Sequence, residues 1–316
     1  MRSLFVLLAA FVCSSGPVFG WGCEGHQMVA LIARAHLTPA ASAAVDQLLR
    51  QYPIDPALNR FCKDRPDDAM ADAATWADDA KNGEKTGDWH FIDIPIAVNP
   101  VPEHEPDVMT WCKPSDGKPG CIVSAIALEW GILRDTSQPA ADRAKALRYV
   151  IHFIGDLSQP LHASDNRDRG GNCTAIYFFG QEKPENLHAI WDYKIIAKDL
   201  EDRHMTQPQY AAGIDKEFSS NWQSWGTSKV DVPSYAWDSH MLAVEVTYGN
   251  FKPPIPVAPA NAGLADNDVC SAERDAVQAL HFTIGAEYDS KALPVIRQQL
   301  AKAGYRLADL LNQTFK

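Results

Sequence analysis

The sequence predicts a mainly α fold, a single helical domain carrying one short β-hairpin. Apolar residues recur at helical spacing along most of the chain, and only one short stretch, rich in Tyr, Phe and Ile, reads as extended. No internal repeat, low-complexity tract or linker divides the 316 residues. With 46% hydrophobic and 22% charged residues, the composition is globular and excludes collagenous, coiled-coil and disordered readings. A chain of this length buries roughly 75% of its unfolded surface, so it needs no metal merely to fold.

The first twenty residues read as a secretory leader. Arg2 supplies the positive start, Leu4 to Val12 the apolar run, and Val18-Phe19-Gly20 a small-residue cleavage site. A bilayer span needs about 20 apolar residues, and this run of nine is too short. Cleavage after Gly20 would leave residues 21–316 as one domain in a secreted or periplasmic protein, beginning at Trp21. Helices are expected over Gly25 to His36, from Thr38-Pro39 onward, over the Ala-rich Asp67 to Lys81, Ile122 to Arg134, and Ala141 to Leu157. Further helices are expected over Leu187 to Leu200, Gln209 to Phe218, Ala272 to Phe282, and Leu293 to Leu311. Pro160, Gly170-Gly171 and Pro253-Pro254 break the pattern, and Cys173 to Phe179 is the strand or hairpin.

Loss of the leader removes Cys13 and leaves Cys23, Cys62, Cys112, Cys121, Cys173 and Cys270, an even set suited to disulfides in an exported chain. Cys112 and Cys121 flank a short polar loop and form the readiest pair; the other pairings stay open. No CxxC occurs, which disfavours a cysteine zinc site. The net charge of −11 excludes a diffuse basic surface for gripping nucleic acid, so any positive charge must be local. Asn172-Cys-Thr174 and Asn312-Gln-Thr314 match glycosylation triplets, which also arise by chance.

The densest chemical text is His152-Phe-Ile-Gly-Asp156-Leu-Ser-Gln-Pro-Leu-His162, which puts His and Asp four apart on one helix face. The pattern recurs in Asn186-Leu-His188-Ala-Ile-Trp-Asp192. A single such pair is more often a surface ion pair, but here both interrupt apolar helix text, and polar groups there need partners. Imidazole and carboxylate are ligands zinc accepts when thiolates are absent. Trp21-Gly-Cys-Glu-Gly-His26, Trp76-Ala-Asp78 and Trp89-His90-Phe91-Ile-Asp93 complete the set. A freed α-amino group at Trp21 has an ordinary pKa of about 7.7–8.0, low enough for a metal to displace its proton.

These motifs resemble the secreted zinc-dependent single-strand nucleases and 3′-nucleotidases of fungi, plants and bacteria, which share a fold with zinc phospholipases C. The match runs from Trp21 to Asp192; residues 193–316 carry no matching motif. The resemblance implies three Zn²⁺ ions: one held by Asp78, His90, His152 and Asp156, and one by His162, His188 and Asp192. The third would be held by Trp21, His26 and the bridging Asp156. It also implies that Phe91 stacks a base, Asp93 accepts hydrogen bonds from the base edge, Asp78 orients the attacking water, and Lys81 lies near the scissile phosphate. The substrates implied are single-stranded DNA and RNA and 3′-nucleotides, cleaved by a monomer to 5′-phosphorylated products, with no protein or membrane partner. Three Zn²⁺ against the carboxylates of Asp78, Asp156 and Asp192 leave a local charge of about +3, which reconciles an acidic chain with an anionic substrate. The charged text Ala163-Ser-Asp-Asn-Arg-Asp-Arg169 departs from an apolar base clamp. The rival readings are a zinc phospholipase C and a non-catalytic zinc-binding protein.

Overall fold

Buried faces of α1 (Cys23–Ala35) and α2 (Pro39–Gln51) begin the core, the second helix capped by the Thr38 hydroxyl on the Ala41 amide. The computed structural model describes residues 21–59, 62, 66–96, 107–114, 117–226, 229–256, 270 and 278–316. The leader, and residues 272–277 of one expected helix, lie outside these.

The Ala-rich stretch expected as one helix is two, α3 (Ala69–Ala73) and α4 (Trp76–Glu84). Asp68 caps α3 through the amides of Met70 and Ala71, and the Ala74 carbonyl at the break accepts from His152 Nδ1 at 2.7 Å. A tertiary bond to this carbonyl replaces helical continuity. α5 (Ile122–Arg134) and α6 (Ala140–Ser158) follow the expected boundaries closely. From Ala146 to Ser158 every side of α6 is buried, so this helix is the molecule's central rod.

The segment after Asn186 starts as α7 (Leu187–Ala189), widens to a π turn over Ile190–Lys194 and continues as α8 (Ile195–Arg203). α9 (Gln207–Phe218), α10 (Trp222–Gly226) and α11 (Val232–Leu242) follow, the last two unforeseen in the sequence. A second π turn, Ala243–Tyr248, extends α11. The C-terminal helix α12 (Ala286–Thr314) begins before the expected Leu293 and carries Pro294 inside. Burial of Tyr288 and Ala292 supports its first turns.

β1 (Ala175–Phe178) pairs antiparallel with β2 (Glu185–Asn186), the expected hairpin. A third strand, β3 (Thr283–Ile284), adds in parallel on the other edge of β1, with the Tyr177 amide bonded to the Phe282 carbonyl. The end of the segment expected as a helix therefore feeds a sheet. Disulfides join Cys23 to Cys62, Cys112 to Cys121 as expected, and Cys173 to Cys270. Among the described residues, no helix is long and apolar enough to cross a membrane. The Asn312 amide accepts from Thr38 N and donates to the His36 carbonyl, and the Asn172 amide donates to the Arg169 carbonyl. Both glycosylation triplets thus spend their asparagine on the fold.

Two stability outcomes follow from the packing. A methyl at Gly304 on α12 would lie 2.4 Å from Ile32 Cγ2 on α1, so Gly304→Ala should cost about 1–3 kcal/mol in urea unfolding. Burial, reinforced by Glu84 and opposed by Lys145, pushes the Glu129 carboxyl of α5 up to about 7. The folded protein then holds a proton there that the unfolded chain releases near its ordinary pKa of about 4.3. Wild-type stability is lost as pH rises from about 4 to about 7. Glu129→Gln should accordingly be more stable than wild type at pH 8 by roughly 2–3 kcal/mol, with the difference vanishing near pH 4.

Candidate metal centre and nucleotide pocket

α6 presents His152 and Asp156 on one face, with Nε2 to Oδ2 at 3.0 Å, inside the core. His90 ends the short 3-10 turn Gly87–His90 and brings Nδ1 to 2.9 Å from the same oxygen and 3.1 Å from His152 Nε2. Asp78, in the first turn of α4, places Oδ1 3.8 Å from His90 Nδ1 and 3.9 Å from His152 Nε2. The other Asp156 oxygen, Oδ1, faces His26 Nε2 of α1 at 3.1 Å. Asp156 therefore reaches both ways from one helix position. The His26 and Asp156 atoms are buried and misaligned for a hydrogen bond despite their closeness, as expected if both aim at a shared third atom.

His162, on the 3-10 turn Pro160–Ala163, meets His188 with Nε2 to Nε2 at 3.0 Å. His188 lies 3.3 Å from Asp192 Oδ2 on the π turn. The outer nitrogens are all occupied: His162 Nδ1 by the His90 carbonyl at 2.7 Å, and His188 Nδ1 by the Gly170 carbonyl at 2.6 Å. A carbonyl can only accept, so each Nδ1 carries the hydrogen, and in the neutral rings both inner Nε2 atoms are lone pairs. Two lone pairs facing at this distance repel unless a proton or a metal ion lies between them. The same device orients His152 through Ala74, and such outer bonds are the usual support of metal-bound imidazoles. Three His/Asp groups among the described residues could hold a metal: His90, His152 and Asp156; His162, His188 and Asp192; and His26, Asp78 and His152.

Burial and the neighbouring charges pull the three carboxyls of the centre in different directions. Burial pushes the Asp192 carboxyl well above the ordinary range despite the Gln159 amide bonded to it at 2.6 Å. Burial likewise opposes ionisation of Asp156, but the nearby His152 and His162 and the close approach of the His152 and His26 nitrogens outweigh it and hold that carboxyl well below its usual range. Burial also opposes the charge on Asp78, where His152 and then Lys81 prevail and lower the pKa. Lys81 is buried with its ammonium 3.1 Å from Asp78 Oδ1, not a solvated helix-end lysine.

Trp21 is fully buried, its indole N–H donating to Ser158 at the end of α6, while the next amide, of Gly22, donates to the Asp192 carbonyl. These bonds set residue 21 between the end of α6 and the π turn that carries Asp192. Phe91 and Asp93 line an open pocket with Asp165 and Arg169, and His188 forms part of its wall. Phe91 is half-buried at this edge, and Asp93 is exposed to the pocket. Crowding by the pocket walls and the nearby Asp165 carboxylate push Asp93 up to about 7, against the pull of Lys113 and Arg169.

Several supporting residues were not legible beforehand. Gln159, whose carbonyl oxygen takes the Leu161 amide while its nitrogen holds Asp192, lies in the text between Asp156 and His162 but carries no spacing signal of its own. Asp168 accepts from Thr174, the Gly171 amide and Tyr248, a partner 80 residues away. Gly155 packs its α-carbon against His26: a methyl there would lie 2.8 Å from Nδ1, and the ring has no easy retreat because it stacks on His152 at 4.0 Å. Gly155→Ala should therefore weaken metal affinity at the His26 end roughly 10–100-fold in chelator competition, with the His162, His188 and Asp192 group unaffected.

Comparisons with known proteins agree with this geometry. The chain is 29% identical over 320 residues to Nuclease S1 of Aspergillus oryzae (strain ATCC 42149 / RIB 40), covering 99% of this chain and 98% of that protein. It is 27% identical to Endonuclease 2 of Arabidopsis thaliana, covering 100% and 98%, and 28% identical to Nuclease P1 of Penicillium citrinum, covering 93% and 97%. The model of the S1/P1 Nuclease family matches residues 21–316, the whole chain beyond the expected leader. With that match, the chain belongs to the S1/P1 nuclease family and is an enzyme of phosphodiester hydrolysis.

Proposed function

We propose that this chain is an exported zinc-dependent endonuclease. It holds three zinc ions and cleaves single-stranded DNA and RNA to 5′-phosphorylated products, with 3′-nucleotidase activity at the same site. The observation that carries the reading is the convergence of His162 and His188 lone pairs beside Asp192, repeated around Asp156 by His26, His90 and His152. The donors of these groups are all nitrogen and carboxylate, and the six cysteines among the described residues are engaged in disulfides, a set that suits zinc. Asp78, His90, His152 and Asp156 would hold one ion, His162, His188 and Asp192 a second, and the Trp21 amine and carbonyl with His26 and Asp156 the third. When bound, the zinc ions supply a water of lowered pKa and positive charge for the leaving oxygen.

The residues then divide the work. The Asp78 carboxylate, kept charged by Lys81, orients the water for in-line attack on phosphorus, and Lys81 lends its positive charge to the phosphate. The new bond is from water oxygen to phosphorus, the 3′-oxygen leaves, and its proton restores a 3′-hydroxyl. Phe91 offers its face to an unpaired base, worth about 1–3 kcal/mol per base, while Asp93 accepts from the base edge. Duplex bases are stacked away from such a face, so single strands are preferred. The disulfides and the leader-like first twenty residues support export.

Two samples of this chain, one beginning at Trp21 and one with an extra residue before it, test the reading. The Trp21 sample should bind one more zinc and cleave single-stranded DNA and RNA at least tenfold faster than duplex at low salt. Equal zinc content and activity in both samples would remove the Trp21 amine from the site. Hydrolysis of phosphatidylcholine vesicles in place of nucleic acid would replace the nuclease with the lipid-directed reading.

A further inference from the structure

We propose that Arg169 and Asp93 together make the pocket beside Phe91 a reader of guanine, so that single strands are cleaved preferentially next to that base. The inference rests on the nuclease reading of this pocket and adds the base it selects. Phe91, Asp93 and Arg169 line the same pocket, and His188 of the metal centre belongs to its wall, so a base held there lies beside the reacting phosphate.

Arg169 is exposed, but its backbone is not free to drift. It sits in the left-handed region at φ 57°, and its carbonyl accepts from both the amide and the side chain of Asn172, at 3.3 and 2.8 Å. The next residue, Gly170, donates its amide to Asp165 Oδ1 at 3.2 Å and gives its carbonyl to His188. The guanidinium therefore springs from a loop anchored to the metal centre itself. Lys113 is a second cation within electrostatic reach of Asp93, and it does not line the pocket.

The chemistry of the two side chains is complementary to one base. A carboxylate offers two acceptors side by side, and a guanidinium offers a fork of donors. Guanine alone presents two adjacent donors, N1–H and the N2 amino group, with the O6 and N7 acceptors side by side on the adjoining edge. Asp93 takes the donors and Arg169 the acceptors. Adenine sets an acceptor where N1–H would be, cytosine sets two acceptors, and uracil and thymine flank one donor with acceptors; each leaves Asp93 or Arg169 facing a group of its own kind.

Calorimetric titration of the zinc-loaded protein beginning at Trp21 with GMP and with AMP tests this directly. GMP should bind roughly tenfold tighter, the size of one good bidentate discrimination. Arg169→Met should bring the ratio to about one, and Asp93→Asn should also abolish the preference. Lys113→Met, which removes a charge near Asp93 without removing the fork, should keep the preference. Equal binding of GMP and AMP by the wild type, survival of the ratio in Arg169→Met, or its loss in Lys113→Met would each overturn the proposal. Hydrolysis of GpU and ApU separates the two levels. A GMP preference with neither dinucleotide cleaved would leave the guanine pocket standing and remove the nuclease reading, whereas equal cleavage of both would remove the guanine preference alone.

Discussion

The structure depends on one buried carboxylate. Asp156 sits in the last turn of α6 with no exposure to water, one oxygen toward His26 and the other toward His90 and His152. A carboxylate in that position is costly unless its charge is compensated. Of the imidazoles around it, His152 is pushed, against its burial, up to about 8 by Asp156 and Asp78, whereas burial lowers His90. Burial and the nearby His152 depress His26 to about 4, so His26 meets Asp156 as a neutral ring. The arrangement thus makes chemical sense around divalent cations, where every inward lone pair has a use.

The part of the chain without a recognisable motif supplies donors that hold the end of α6, where this carboxylate sits. α6 ends at Ser158, and its last carbonyls need donors from outside the helix. Ser239 of α11 donates to the Leu157 carbonyl at 2.6 Å, and Gln299 of α12 donates to the Ser158 carbonyl at 2.7 Å. The Ser158 hydroxyl in turn accepts the Trp21 indole. Tyr248, from the second π turn, reaches back to Asp168 and so braces the loop whose Gly170 carbonyl orients His188. Residues 193–316 thus brace the half that carries the His/Asp groups, and the family match extends through them.

What could be read from the sequence followed from local periodicity. The His and Asp pairs at i and i+4 show their shared face directly, and α5 and α6 show theirs through apolar spacing. What could not be read came from contacts between distant segments. The break between α3 and α4 arises because His152, 78 residues on, takes the Ala74 carbonyl. The π turn at Asp192 widens a helix that its composition describes as ordinary, and π turns of this kind cluster at functional sites. The last helix reads from Leu293 in the sequence, yet buried Tyr288 and Ala292 let it begin earlier. Lys81 shows in sequence only as a basic residue at a helix end; its burial against Asp78 is a tertiary fact. The hairpin was legible in its Tyr, Phe and Ile content, whereas β3 joins it from more than a hundred residues away.

Diffraction from zinc-loaded crystals at the zinc absorption edge tests the central claim most directly, because the anomalous signal reports ions and not protein atoms. Three peaks should appear, two of them sharing Asp156 and the third among His162, His188 and Asp192. A single peak closed by four protein ligands, or two peaks with Asp156 serving only one, would contradict the account of a carboxylate that holds the centre together.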